Sequence, residues 1–210
     1  MINLDVIAKT QHATAPFPHF VAEGVISKDD MKAISADFPV IDKPGVFYIS
    51  DLKYGKRFHA LIDDIKSCDL AELVGKKLGI NLVGKRLMIS VRGRCQLKDG
   101  RIHNDSKDKI ATCLLYLNDE NWDAAGGRLR LLRDSENINN MITEVAPDGG
   151  NMIAFKRTEN SWHGHEKFEG QRRSIMFNWL SSDFAFAKNV ARHKLSAAFK
   201  GLGLATKSEY

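Results

Sequence analysis

The sequence predicts a mainly β fold with flanking helices, its central part an antiparallel sandwich or barrel. From about residue 85 the pattern turns to short apolar and β-branched runs of strand length, over 87–91, 111–117, 128–132, 152–155 and 174–179. Turn-forming clusters separate them, among them Lys98-Asp99-Gly100, Ala125-Gly126-Gly127 and Pro147-Asp148-Gly149-Gly150, and such regular punctuation belongs to antiparallel connections.

The N-terminal third reads as helical with short strand pieces. Ser27 before Lys28-Asp29-Asp30 is a helix start, with acids placed to face the positive end of the dipole, and a helix over about 28–37 follows. Asp69 is read as the N-cap of a second helix, with Glu72 three residues on and Leu70, Leu73, Val74 and Leu78 on one face, backing a sheet. The segment from Tyr48 to Arg57 reads as a solvated loop, with a substrate lid as the alternative. After Trp179, Phe184, Phe186, Val190, Leu195 and Phe199 recur among Lys188, Arg192, Lys194 and Lys200, and Gly201 and Gly203 suit a helix end. This is read as a basic amphipathic helix on the outside of the sheet rather than a membrane or partner helix.

The expectation is a single domain over 1–210, with helical support to about 84, a β core over about 85–180 and a C-terminal helix over 181–210. A composition 43% hydrophobic and 27% charged suits an ordinary soluble globular chain. The apolar run 111–117 falls far short of the roughly 20 residues a membrane helix requires, and Met1-Ile-Asn-Leu-Asp lacks the apolar stretch of a signal peptide. Cys68, Cys95 and Cys113 are odd in number and form no Cys-x-x-Cys pair, so neither a disulfide framework nor a zinc site is expected, and a reducing cytoplasm fits. The net charge of +5 is spread along the chain, which does not select a nucleic-acid partner, and nothing in the sequence sets an oligomeric state.

The most informative triplet is His103-Asn104-Asp105. In an extended segment residues two apart project to the same side, so an imidazole and a carboxylate can reach one cation. A second imidazole comes from His163 in Ser161-Trp162-His163, with His165 two residues on as its competitor. Two imidazoles and one carboxylate on one face of an octahedron leave positions open for a bidentate ligand and dioxygen, the facial arrangement of non-haem Fe(II) oxygenases, whereas a structural zinc site wants a fourth protein ligand. His12, His19, His59 and His193 have no such company and read as surface or structural residues.

Downstream of His163, in Gly170-Gln171-Arg172-Arg173-Ser174-Ile175, strand alternation sends Arg172 and Ser174 to one face and Arg173 to the other. A buried arginine offers a planar fork that matches a carboxylate; a solvated arginine pair on an edge strand is the alternative, and Arg173 competes with Arg172 for the role.

Taken together, His103-Asn104-Asp105, then Thr112-Cys113-Leu114-Leu115-Tyr116-Leu117-Asn118, then Trp122 with Gly126-Gly127-Arg128-Leu129, then His163 followed by Arg172, resemble the 2-oxoglutarate/Fe(II) oxygenase superfamily in its prolyl 4-hydroxylase-like branch, which includes the oxygen-sensing prolyl hydroxylases. The likeness spans about residues 86–180. It implies a double-stranded β-helix, a cupin-like jelly roll enclosing iron held by His103, Asp105 and His163. It further implies 2-oxoglutarate as co-substrate, its far carboxylate held by Arg172 with Tyr116 and Ser174, together with dioxygen and, as an optional addition, ascorbate. The activity it implies is hydroxylation of an aliphatic C–H bond, with a prolyl residue of a protein or peptide as the candidate substrate, releasing succinate and CO2. A small metabolite or sugar is the alternative substrate, and a non-enzymatic cupin-like metal protein or a scaffold using the C-terminal helix are the rivals of another class.

The chain departs from the resemblance at Ser90-Val91-Arg92-Gly93-Arg94, where several relatives carry a tyrosine; Arg92 is read either as its replacement, contacting co-substrate or an acidic substrate, or as a surface arginine. Asp105 in place of a small residue favours hydroxylation over halogenation. The arginine that nucleic-acid demethylating relatives carry several residues downstream of the first is absent from the stretch after Arg173 to Leu180, which argues against nucleic-acid demethylation.

Overall fold

The computed structural model describes residues 1–119, 121–188 and 191. A seven-stranded antiparallel sheet runs in the order β1 (His12–Ala13), β2 (His19–Ala22), β8 (Met152–Lys156), β5 (Lys109–Tyr116), β10 (Gly170–Leu180), β4 (Arg86–Cys95), β3 (Phe47–Tyr48). A three-stranded sheet faces it, in the order β7 (Met141–Val145), β6 (Leu129–Leu132), β9 (His163–His165). This is the jelly roll, mainly β with flanking helices.

Alternation along the central strands divides the interior. Ala111, Cys113 and Leu115 of β5, Met152 and Ala154 of β8, and Ile175, Phe177 and Trp179 of β10 belong to the core shared with the helices. The intervening Leu114, Tyr116, Ile153 and Phe155 belong to a smaller core with Leu129 and Leu131 of β6 and Val145 of β7. One sheet therefore serves two cores because side chains two apart share a face.

Four helices cover the outer face: α1 (Leu4–Lys9), α2 (Lys28–Ala36), α3 (Lys56–Ile65) and α4 (Cys68–Leu78). Ser27 caps α2, its hydroxyl accepting from the Asp30 amide at 3.2 Å. The start of α4 differs from the expectation: Ser67, not Asp69, is the cap, with Leu70 N donating to its Oγ at 3.2 Å, while Asp69 sits in the first turn where its charge meets the dipole. The helix α3 was not expected. It buries Phe58, Leu61, Ile62 and Ile65, an apolar stripe at helical spacing, yet Gly55 at its start has no side chain to cap it and so gives no start signal.

The segment from Tyr48 to Arg57 is anchored rather than a solvated loop. Tyr48 pairs with Ser90 of β4, a 3-10 turn spans Ile49–Asp51, and Tyr54 packs on Phe58 with ring centroids 5.2 Å apart. The short strand pieces expected in the first 84 residues are β1, β2 and β3, which join the sheet. Lys77 of α4 is buried and donates to the carbonyls of Ala8 (3.0 Å) and Thr10 (2.5 Å) at the end of α1, where a cation meets the negative end of the helix.

Of the C-terminal helix, a helical stretch over 183–188 is described, with Ala185 buried and Phe186 packed against Met88 and Leu180. Phe184 is exposed. Val190, Arg192, Lys194, Leu195, Phe199, Gly201 and Gly203 lie outside the described residues. Among the described residues no helix is long and apolar enough to cross a membrane.

Candidate active site

His103 follows β4 and forms an isolated antiparallel bridge with His163, each backbone amide donating to the other's carbonyl at 3.0 Å. That bridge brings two imidazoles from distant parts of the chain to a ring separation of 4.2 Å. Asp105, two residues beyond His103, turns its carboxylate to the same place: ligand atoms of His103, Asp105 and His163 all lie within 4.8 Å of one another. Gly164, between the two histidines of β9, is required by close approach, since a Cβ there would stand 2.9 Å from the Gly100 carbonyl oxygen on the segment leading to His103.

Hydrogen bonding fixes which nitrogen each imidazole presents. Nδ1 of His103 lies 2.9 Å from the Arg101 carbonyl and Nδ1 of His163 lies 3.0 Å from the Ser161 carbonyl. A carbonyl only accepts, so both Nδ1 atoms carry the proton and Nε2 is the lone-pair atom in the neutral ring. Burial pushes His163 down to about 4, against the attraction of Asp105, so the ring is neutral near pH 7 and able to ligate. Asn104 ties the two segments together, donating to the Thr158 carbonyl at 2.7 Å and accepting from Ser161 Oγ at 2.8 Å.

Asp105 is nine-tenths buried and held on both oxygens. Lys109 Nζ stands 2.5 Å from Oδ1, and Thr112 Oγ1 2.5 Å from Oδ2. Burial alone would raise this carboxyl, but the Lys109 ammonium and the two hydrogen bonds outweigh it and hold the group well below the usual carboxylate range. Nothing in the sequence pattern had assigned roles to Lys109 and Thr112.

The second feature lies at the other end of the same inner face. Arg172 is buried, its Nε donating to the Gly127 carbonyl at 2.7 Å and an Nη to Tyr116 Oη at 3.2 Å. Gly127 adopts φ +81°, which lets the chain turn its carbonyl to this bond. The Gly-Gly turn is closed by Trp122, whose Nε1 donates to the Gly126 carbonyl at 2.9 Å. Burial pushes the Tyr116 hydroxyl up, opposed by Arg172, so the phenol is neutral and keeps a proton to donate. Among the described residues no acid pairs with Arg172, which leaves a buried guanidinium without a protein counter-charge.

Ser174 is buried and in register with Tyr116 on one side and Arg92 on the other. Arg92 is thus on the inner face, one strand away from the Arg172 end, but its charge is met by Asp99 at 2.5 Å, and Asp99 also accepts from the Gln96 amide. Arg173 points the opposite way, its guanidinium 4.8 Å from the centroid of Phe38. His165 stands outside the three-residue group; it is buried, donates from Nδ1 to the Glu166 carbonyl at 2.8 Å, and is pushed down to about 4 by burial and by the nearby Arg172 charge. Asn118, quoted in the motif without a role, accepts from the Arg173 amide at 2.6 Å and donates to the Pro147 carbonyl at 2.6 Å, fixing the strand end from which Arg172 projects.

Comparison with known proteins fits this arrangement. Residues 94–181 match the family model of the 2OG-Fe(II) oxygenase superfamily. No curated protein matches the sequence. Among solved structures, the chain is similar to a Pseudomonas putida prolyl-4-hydroxylase, with TM-score 0.58 and 16% identity over 84% of this chain and 96% of that one. It is similar also to the viral collagen prolyl hydroxylase of Paramecium bursaria Chlorella virus-1 in its 2-oxoglutarate complex, with TM-score 0.52 and 17% identity over 77% of this chain and 93% of that one. A third is HygX from Streptomyces hygroscopicus with nickel and 2-oxoglutarate bound, with TM-score 0.53 and 12% identity over 79% and 83% of the two chains.

The chain thus resembles the 2OG-Fe(II) oxygenase superfamily over residues 94–181 and shares its fold with solved prolyl 4-hydroxylases. Over those residues the match is to the 2-oxoglutarate-dependent dioxygenases, a class of enzyme that works with Fe(II), 2-oxoglutarate and dioxygen.

Proposed function

We propose that the enzyme hydroxylates a prolyl residue in a protein or peptide, with Fe(II) held by His103, Asp105 and His163 and the far carboxylate of 2-oxoglutarate received by Arg172, Tyr116 and Ser174. The donor set fits the ion: two imidazoles, with His163 held neutral by burial, and one ionised carboxylate, converging within 4.8 Å, leave coordination positions for a chelating co-substrate. When bound, the iron supplies the dioxygen chemistry that splits 2-oxoglutarate into succinate and CO2 and oxidises the substrate C–H bond.

The observation that carries the co-substrate assignment is the buried Arg172 guanidinium with no acidic partner among the described residues. A charge out of water calls for a counter-ion, and a dicarboxylate whose near end is at the metal brings one. The Tyr116 hydroxyl, neutral and already in contact with Arg172, adds a donor, and Ser174 lies in register beside it. The inner face excludes water through Leu114, Leu129, Leu131 and Ile153. For the prolyl substrate, the support is the likeness of fold to bacterial and viral enzymes named as prolyl hydroxylases. A cytoplasmic setting belongs to the same reading and is supported by three cysteines that remain free thiols.

The test is anaerobic addition of Fe(II) and 2-oxoglutarate to the purified chain, followed by a screen of prolyl peptides for succinate release. The expected result is the weak visible absorption of a 2-oxoglutarate–iron chelate, lost in His163→Ala and needing more 2-oxoglutarate in Arg172→Ala. A chelate band unchanged in Arg172→Ala overturns the clamp, and succinate release that depends on a small metabolite and on no peptide overturns the prolyl substrate.

A further inference from the structure

Thr112 Oγ1 lies 2.5 Å from Asp105 Oδ2 and 2.8 Å from Asn178 Oδ1, and the three side chains are buried. A hydroxyl has one proton, so it can donate to only one of two oxygens; the other contact would set lone pair against lone pair. At the same time the Asn178 amide nitrogen is buried with no hydrogen-bond partner. Both faults are removed by a half-turn of the amide, which exchanges its oxygen and nitrogen. Nδ2 then donates to Thr112 Oγ1 and the hydroxyl proton is committed to Asp105. What is left is an under-satisfied carbonyl oxygen and one spare N–H of an amide whose nitrogen is now engaged, a lesser cost than a wholly orphaned donor beside opposed lone pairs.

We infer that Asn178 and Thr112 are positioning residues of the metal centre, forming a directed chain in which the Asn178 amide donates to Thr112 and Thr112 donates to Asp105. The chain is built into the sheet: Thr112 of β5 and Asn178 of β10 are register neighbours on the inner face, at the opposite end of the strand pair from Tyr116 and Ser174. Lys109 holds the other carboxylate oxygen. With both oxygens engaged, the carboxylate plane is set before any ion arrives, and polarisation by Asn178 makes Thr112 a better donor. The inference rests on Asp105 being a metal ligand, as proposed above.

Metal affinity of the full chain measures this directly. Mn(II), a redox-silent probe, is titrated calorimetrically into the metal-free protein and into Thr112→Val, Thr112→Ser and Asn178→Leu, with circular dichroism and a thermal melt on each. Thr112→Val is expected to weaken Mn(II) binding about tenfold, in the range found for partners of metal ligands. Thr112→Ser, which keeps the hydroxyl, stays within about twofold, and Asn178→Leu weakens binding about threefold, since it removes only the polarising donor. Were the proton of Thr112 given to Asn178 instead, Asn178→Leu would release it to Asp105 and tighten binding, so unchanged or tighter binding in that variant overturns the inference. Should Asn178→Leu not fold, the two threonine variants decide, equal affinities overturning it. Asp105→Ala and His163→Ala serve as controls: wild-type Mn(II) affinity in both would sink the ligand assignment itself, whatever the threonine variants do.

Discussion

Each central strand of the seven-stranded sheet shows one face to the helices and the other to the three-stranded sheet, and the two faces differ in chemistry. On β10 the outer positions are Ile175, Phe177 and Trp179, all in the large core. The inner ones include Arg172, Ser174 and Asn178, all polar and all buried. The outer face is held by apolar area, at about 25 cal/mol per Å² removed from water, and tolerates no polar group without a partner. The inner face gives up part of that area to orient hydrogen bonds around two charges, Asp105 and Arg172. The comparison teaches that stability and chemistry are separated here by a single residue step along the strand.

The separation can be broken experimentally, starting from the change with the largest expected effect. His163→Ala should lower 2-oxoglutarate turnover by about a thousandfold or more, since it removes a proposed ligand, and should lower the melting temperature of the metal-free protein only in part, through the buried contacts of the ring with Phe155 and His103. Loss of fold in that variant would show that the two faces are not independent. Phe58→Ala, on α3 under the outer face, should cost about 3–5 kcal/mol in a denaturant melt with unchanged 2-oxoglutarate affinity in the fraction that remains folded.

The titration of the inner face sharpens the comparison. His163 and His165 are each pushed down to about 4 by burial, from an ordinary 6.5. Between those values the unfolded chain binds protons that the folded chain refuses, so stability rises with pH through the window and levels off above it. Asp105, depressed below the usual carboxylate range, contributes stability that is already complete above about pH 4 and so adds no slope there. Melting the metal-free protein should show a loss of about 3–4 kcal/mol on going from about pH 7 to about pH 5, and His165→Gln should remove part of it. The smallest effect expected is that of Arg172→Met, a loss of about 30-fold in 2-oxoglutarate affinity with stability altered by less than about 1 kcal/mol, measured by equilibrium binding beside a melt.

The inner strands of both sheets were legible where their apolar runs are of strand length: β4, β5, β8 and β10 of the seven-stranded sheet and β6 of the three-stranded one each overlap an expected run. Two-residue β1 and β3 and the His-Gly-His strand β9 are too short for any period to register. The helix α3 escaped because Gly55 gives no capping signal, although its stripe of Phe58, Leu61, Ile62 and Ile65 was present to be read. At the site, His103, Asp105 and His163 could be singled out by residue type and spacing, and the structure brings them together. Lys109, Thr112, Asn118 and Asn178 could not: Lys109 and Thr112 reach Asp105 only through the turn that leads into β5, and Asn178 and Asn118 act on Thr112 and Arg173 across strands. A pairing across strands is a property of register, which the pattern of one strand does not contain.

Arg172 and Arg173 are adjacent in the chain and face away from each other, one toward Tyr116 and the other onto Phe38, whose ring meets Phe58 edge-on with centroids 5.5 Å apart. The residue proposed to grip the anion therefore shares a peptide bond with the one that rivets the same strand to the outer shell. Slack introduced among those distant aromatic rings is expected to misalign the guanidinium, so that part of the pocket's proposed selectivity would be stored outside the pocket.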